Sequence, residues 1–196
     1  MCLILTSWQS HPEYPLVVLA NRDEFYERAT DPMGWWDDHP NILAGRDRAD
    51  VKGQPGTWMG ISKSGRFAAI TNVRAPSEKN PDAQTRGEIT AKFLKTLDSP
   101  EMFIDTHAHT FNRYNGFNLL ATDLSCKNPE LVWLSNRVLM GKNLRPRKVM
   151  NPQRLNPGIY GLSNGMLDTP WPKVQHRVGA FAQLLAMDTG QFKRSE

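Results

Sequence analysis

The opening of the chain, MCLILTSW, and the run LVVLAN at 16 to 21 are two short apolar segments separated by the polar, proline-bearing QSHPEYP. Each is too short for a buried helix, so the pair predicts two adjacent strands with buried faces on both sides. That arrangement puts Cys2 at the very start of an interior strand. Cys2 then has two readings. It is a small buried hydrophobe, or, once Met1 is trimmed, a residue that carries a thiol and a free α-amine together. Unperturbed, such an amine titrates at about 7.7–8.0 and a thiol at about 8.5, so the amine can serve as base for its own thiol.

The rest of the chain reads as strands, helices, strands and a helix. From Glu27 to Pro55 a stretch rich in Asp, Pro, Gly and Trp reads as a long irregular loop of the kind that carries function. Within it Trp35-Trp36, beside Asp37-Asp38, is either an apolar lid over a pocket or a loop anchor. GTWMGISKSGRFAAITNV predicts a hairpin turning at Lys63-Ser64-Gly65. TRGEITAKFLKTL predicts a helix opened by a Thr85/Glu88 capping box, with Ile89, Phe93 and Leu97 along one face. SPEMFIDTHAHTF predicts a second helix, with Ser99 as its N-cap and Pro100 in its first turn. GFNLLATD and ELVWLSN predict a strand pair, and GIYGLSN one further strand. TPWPKVQHRVGAFAQLLAM predicts an amphipathic helix with Val174, Val178, Phe181 and Leu185 on one stripe. Hairpins and helices segregated in this way predict α+β layers in a single domain spanning 1–196.

Charge and composition narrow the function classes. The formal net charge is +4, and the most basic stretch is GKNLRPRKVMNPQR at 141 to 154. It lacks interleaved aromatics and is broken by two prolines, so it reads as a solvated loop rather than a nucleic-acid surface. A phosphorylated small molecule or an anionic surface is the partner that stretch would suit. The two cysteines, Cys2 and Cys126, make neither a disulfide framework nor the paired-thiolate spacing of a zinc site. His107-x-His109 has no third ligand nearby in sequence and reads as two surface histidines, so no metal is expected. No apolar run approaches the ~20 residues of a membrane helix, and the opening lacks the basic region of a secretory signal. The expected location is therefore cytoplasmic, with no transmembrane segment.

Three groups of polar residues stand where strands are expected to end. Asn72 in AAITN and Asn164 in YGLSN are turn formers or, alternatively, donors to a developing oxyanion. Asn21, Arg22, Asp23 and Glu24 follow LVVLA directly and make either a solvated turn or the mouth of a site beside Cys2.

Together, MCLIL, LANRDEFYERAT, LAGRD, GTWMGIS and GRFAAITNVR closely resemble the NRDE family, also called the transport and Golgi organisation family. Its name is the tetrapeptide seen here as Asn21-Arg22-Asp23-Glu24. The resemblance implies a fold like that of the N-terminal nucleophile (Ntn) hydrolases, an αββα sandwich, here lacking its C-terminal closing strands. Family members continue through a YGTRSS-like segment that supplies a site arginine, whereas this sequence stops at GQFKRSE. By resemblance Cys2 is the nucleophile, Asn72 and Asn164 are catalytic, and Glu24 contacts the nucleophile's amine. Asn21, Arg22, Asp23 and Arg74 are the implied substrate-binding residues, with Asn21 standing where the hydrolases have an arginine. The implied activity is hydrolysis of an amide-type C–N bond through an acyl-enzyme. The alternative is a non-catalytic carrier on the same scaffold, in haem trafficking or in acyl-CoA and lipid metabolism. No cofactor is required on either reading, and haem enters only as a transported ligand. The implied partner is a small molecule: an amide, haem or an acyl-CoA-like compound.

Overall fold

The computed structural model describes residues 2–48, 55–74, 80–140 and 143–188. The chain gathers into two compact units, one formed by Met1–Asp23 with Leu155–Glu196 and the other by Glu24–Arg154. Helices and antiparallel strands occur in both, so the fold is α+β.

The smaller unit is built on a three-stranded sheet. Its strands are β1 (Leu3–Trp8), β2 (Leu16–Asn21) and β12 (Gly158–Leu162), in the order β12-β1-β2. Ile4 pairs with Leu162 and Trp8 with Gly158 on one side of β1. Leu3 pairs with Asn21 and Trp8 with Leu16 on the other. Side chains alternate along a strand, and Leu3, Leu5 and Ile159 pack with Val178, Phe181 and Leu185 of helix α3 (Pro172–Met187). Ile4, Thr6 and Trp8 of β1 are buried as well. The two-faced burial expected of the first apolar run is therefore present in β1. It is not present in β2, where Leu19 is 46% exposed and Ala20 and Asn21 are exposed too. Among the described residues β2 is an edge strand, with a neighbour on one side only.

Two contacts fix α3 to this sheet. At Gly161 a Cβ would lie 2.6 Å from Val174 Cγ1 and 2.7 Å from Val178 Cγ2, so helix and strand approach as closely as glycine permits. Asp168 closes the turn between them: its Oδ1 accepts from the Gly161 N–H at 2.7 Å, and its own N–H donates to the Gly161 carbonyl at 2.9 Å. At the far end His11 joins the β1–β2 loop to the end of α3. Its Nδ1 accepts from the N–H groups of Glu13 and Tyr14, so Nε2 is the nitrogen that donates to Asp188, at 3.0 Å.

The larger unit holds a seven-stranded sheet in the order β11-β8-β7-β6-β5-β4-β3. Its strands are β3 (Thr30–Trp35), β4 (Ile42–Asp47), β5 (Met59–Ser62), β6 (Arg66–Asn72), β7 (Phe117–Asp123), β8 (Leu131–Ser135) and β11 (Gln153–Leu155). Strands β9 (Arg137–Met140) and β10 (Asn143–Pro146) form a separate two-stranded ribbon. Helices α1 (Gly87–Lys95) and α2 (Pro100–His107) share a core with the central strands, centred on Phe93, Phe103, Phe111, Phe117, Leu119 and Leu134. The hairpin at Lys63-Ser64-Gly65 is present, with Gly65 at φ +86, and β7 pairs with β8. Ser99 caps α2 through the Met102 N–H at 3.2 Å, as its sequence predicts.

Several expectations are corrected. The stretch from Glu27 to Pro55 holds regular structure among its described residues, where β3 and β4 pair; residues 49–54 lie outside them. β3 is the outer strand of its sheet and half exposed, so it has no apolar alternation to read, and its Pro32 is tolerated at an edge. Thr85 and Glu88 make no capping box. Arg86 is the N-cap, its side chain donating to the Gly116 carbonyl at 3.2 Å and not to the helix start, while the Glu88 carboxylate accepts from the Tyr114 hydroxyl and pairs with Lys92 at 3.5 Å. The helix stops at Lys95, which leaves Leu97 90% exposed. The basic stretch contains β10 and β11, and Arg154 is bound by Glu101 and Glu130. Lys142 of that stretch, Met1 and the closing GQFKRSE lie outside the described residues. Trp36 proves to be an anchor: it is 4% exposed, and its indole N–H donates to the Ala44 carbonyl at 3.0 Å.

The close approach at Gly161 generates a test. Gly161→Ala forces α3 off the sheet and is expected to destabilise the protein by about 1–3 kcal/mol. Denaturant unfolding should show a lower midpoint at an unchanged slope, and an unchanged midpoint would contradict the packing described.

Candidate functional site

Five of the predicted site residues, Cys2, Asn21, Arg22, Asp23 and Asn164, belong to the smaller unit, at or just beyond its strand ends. Cys2 lies one position before β1. Continuing the register two positions beyond Ile4↔Leu162 sets Cys2 opposite Asn164, and one position beyond Leu3↔Asn21 sets it opposite Arg22. Asn21 ends β2, exposed, and Asp23 follows two residues later.

The backbone of Cys2 is held from one side. Its carbonyl accepts from Ser163 Oγ at 2.7 Å and from Lys173 Nζ at 3.4 Å. Ser163 is 2% exposed and Asn164 8%, so the segment after β12 is an interior one. It turns tightly, since a Cβ on Gly165 would meet Thr169 Oγ1 at 2.8 Å, and Thr169 Oγ1 donates to the Met166 carbonyl at 2.7 Å. Cys2 is in no disulfide, and the residue is half-buried. A backbone pinned beside a half-buried cysteine limits the positions its side chain can take.

Lys173 belongs to none of the motifs read from the sequence. Burial pulls its amine below the usual lysine range, and the charge of Cys2 draws it back up. A signal was nevertheless present. Lys173 is the second residue of α3, and a cation in the first turn of a helix opposes the macrodipole unless something nearby repays it.

Glu24, Asn72 and Arg74 belong to the larger unit. Glu24 accepts from the Phe25 N–H at 3.1 Å and faces Arg28 at 3.9 Å. Asn72 is the exposed last residue of β6, opposite Phe117, and Arg74 is exposed two residues on. A cleft of about 340 Å³ in the same unit is lined in part by Trp35, Trp36, Arg46 and Arg48. Its charges are answered locally: Arg46 pairs with Asp38 and lies flat on Trp36, and Arg48 pairs with Asp31 at 2.6 Å, holding that carboxyl below its usual range.

Among the described residues no three His, Cys, Asp or Glu side chains cluster as metal ligands would. His107 donates from Nδ1 to the Phe103 carbonyl at 2.9 Å, with its ring against that of Phe103. No helix of the described residues is long and apolar enough to cross a membrane.

Ser163→Ala removes the shorter of the two bonds to the Cys2 carbonyl and is expected to cost about 0.5–1.5 kcal/mol. Amide hydrogen exchange at Leu3 and Ile4 should quicken while exchange in β7 stays as it was. Unchanged exchange at Leu3 and Ile4 would show that this bond does not hold the strand start.

Known proteins place the chain in a family. The profile of the family described as Transport and Golgi organisation 2 matches residues 1–195. The Mus musculus Transport and Golgi organization 2 homolog is 38% identical over 181 residues, covering 89% of this chain and 60% of the mouse protein. The Homo sapiens Transport and Golgi organization protein 2 homolog is 36% identical over 178 residues, with the same two coverages of 89% and 60%. For the Drosophila melanogaster Transport and Golgi organization protein 2 the identity is 28% over 186 residues, covering 90% of this chain and 62% of that protein. The chain thus spans about 60% of the length of the mouse and human relatives. Among solved structures, the Caenorhabditis elegans N-acylethanolamine-hydrolyzing acid amidase ortholog matches with a TM-score of 0.45 at 9% identity, covering 98% of this chain and 82% of that one. By its profile match and its relatives, this chain is a member of the Transport and Golgi organisation 2 family.

Proposed function

We propose that the smaller unit carries an N-terminal nucleophile site in which Cys2, after removal of Met1, hydrolyses an amide-type C–N bond. One observation carries the reading. Cys2, in no disulfide, is pinned through its carbonyl at the start of an interior strand by Ser163 and Lys173, and the residue after Ser163 is the buried Asn164.

The chemistry follows from those positions. The Cys2 sulfur adds to the acyl carbon, the carbonyl electron pair moves onto oxygen, and the thiol proton passes to the Cys2 α-amine. The Asn164 amide donates to the oxyanion so formed. When the C–N bond breaks, the α-ammonium returns that proton to the leaving nitrogen, and a thioester remains on Cys2. Water then adds to the thioester carbon, the S–C bond breaks, and a carboxylic acid leaves with the thiol restored. Only residues of the smaller unit enter this scheme, and it consumes nothing beyond substrate and water.

An acyl p-nitroanilide tests it. The expected result is release of p-nitroaniline together with an acyl mass gain on the peptide containing Cys2. Cys2→Ala should abolish both, while Cys126→Ser should leave both intact. Asn164→Ala should slow acylation by about 10²–10³-fold, the usual cost of one oxyanion donor. Absence of any acyl adduct from the parent protein, or an adduct that survives Cys2→Ala, overturns the reading.

A further inference from the structure

The scheme above leaves Lys173 unused, although its amine reaches the residue on which everything else depends. Lys173 sits in the first turn of α3, a helix of 16 residues, where the peptide dipoles add their own positive potential. Its Nζ donates to the Cys2 carbonyl at 3.4 Å, and the indole ring of Trp171 lies 5.7 Å away. The position is imposed from below. Val174 and Val178 seat on Gly161, and Asp168 ties the preceding turn to the Gly161 backbone, so the start of α3 has little freedom to move.

Among the described residues of the smaller unit, the charged and titratable groups on the elements around Lys173 are these. Arg22 and Asp23 follow β2, Tyr160 lies on β12, Asp168 lies in the turn before α3, and His176 and Arg177 stand one turn along the helix. Asp168 is occupied by the Gly161 N–H.

We propose that Lys173 is a positioning residue for Cys2, its ammonium anchoring the Cys2 carbonyl and making the adjacent thiol easier to deprotonate. Two consequences follow from ordinary electrostatics. A cation beside a thiol favours the thiolate. The same cation disfavours protonation of a neighbouring α-amine, leaving its lone pair available as the base. The inference rests on Cys2 being the nucleophile, and its test reads the thiol directly so that the two can fail separately.

In a Cys126→Ser background Cys2 is the remaining cysteine, and the rate of its alkylation by iodoacetamide across pH reports its thiolate fraction. Lys173→Met should move the midpoint of that profile upward by about one pH unit and slow alkylation about 10-fold below it. Lys173→Gln keeps a donor for the carbonyl but carries no charge, so it should show the same upward shift. Lys173→Arg should stay close to the parent. Profiles for Met and Gln that superimpose on the parent overturn the proposal, as does a Gln profile that matches the parent while only Met shifts, because the charge would then play no part. A shifted profile in a protein that forms no acyl-enzyme from the p-nitroanilide supports the pairing of Lys173 with Cys2 and rejects hydrolysis. An unshifted profile with acyl-enzyme present does the reverse.

Discussion

The pairing of β1 with β12 joins two parts of the chain that are far apart in sequence, and the site depends on it. Ser163 and Cys2 are 161 positions apart, yet they share a hydrogen bond at 2.7 Å. Closing so long a loop has an entropic cost that grows only slowly with length, and the apolar seam of Leu5, Phe181 and Leu185 offsets it within the smaller unit. Without that seam Cys2 would be the frayed beginning of a chain. With it, Cys2 has a carbonyl held by Ser163 and Lys173.

What repeats a period was readable from the sequence. The stripe of Val174, Val178, Phe181 and Leu185 is where α3 meets its sheet, and the alternating runs of β5 to β8 pair as their turn residues suggest. Elements at the margins left no such trace. β3 lies at the edge of its sheet with Asp31, Pro32 and Gly34 in its middle, and its partner supplies the pairing that its own composition does not announce. The Thr85/Glu88 pattern failed for a different reason. A carboxylate three residues beyond a threonine is a cap only when nothing better is in reach, and here Tyr114 and Lys92 are.

The site divides in the same way. Cys2 and Asn164 stood out in the sequence as a cysteine at position 2 and an asparagine at an expected strand end, and their roles are those proposed above. Lys173 was hidden because lysine on an amphipathic helix is ordinary, and its meaning comes from Gly161, a residue that matters for what it lacks. Glu24, Asn72 and Arg74 owe their suggested roles to family resemblance, and their surroundings here are those of the larger unit. Membership of the Transport and Golgi organisation 2 family is shared with relatives of which this chain covers about 60%. The chemistry proposed is accordingly a property of the arrangement around Cys2, not of the family name.

That arrangement is catalytic in the sense proposed only if Cys2 carries a free α-amine. The intact mass of the purified protein decides this without a substrate or a probe. The account predicts a chain that begins at Cys2, short of the full sequence by one methionine. A mass that retains Met1 would contradict it, because the amine assigned as base would then be tied up in a peptide bond.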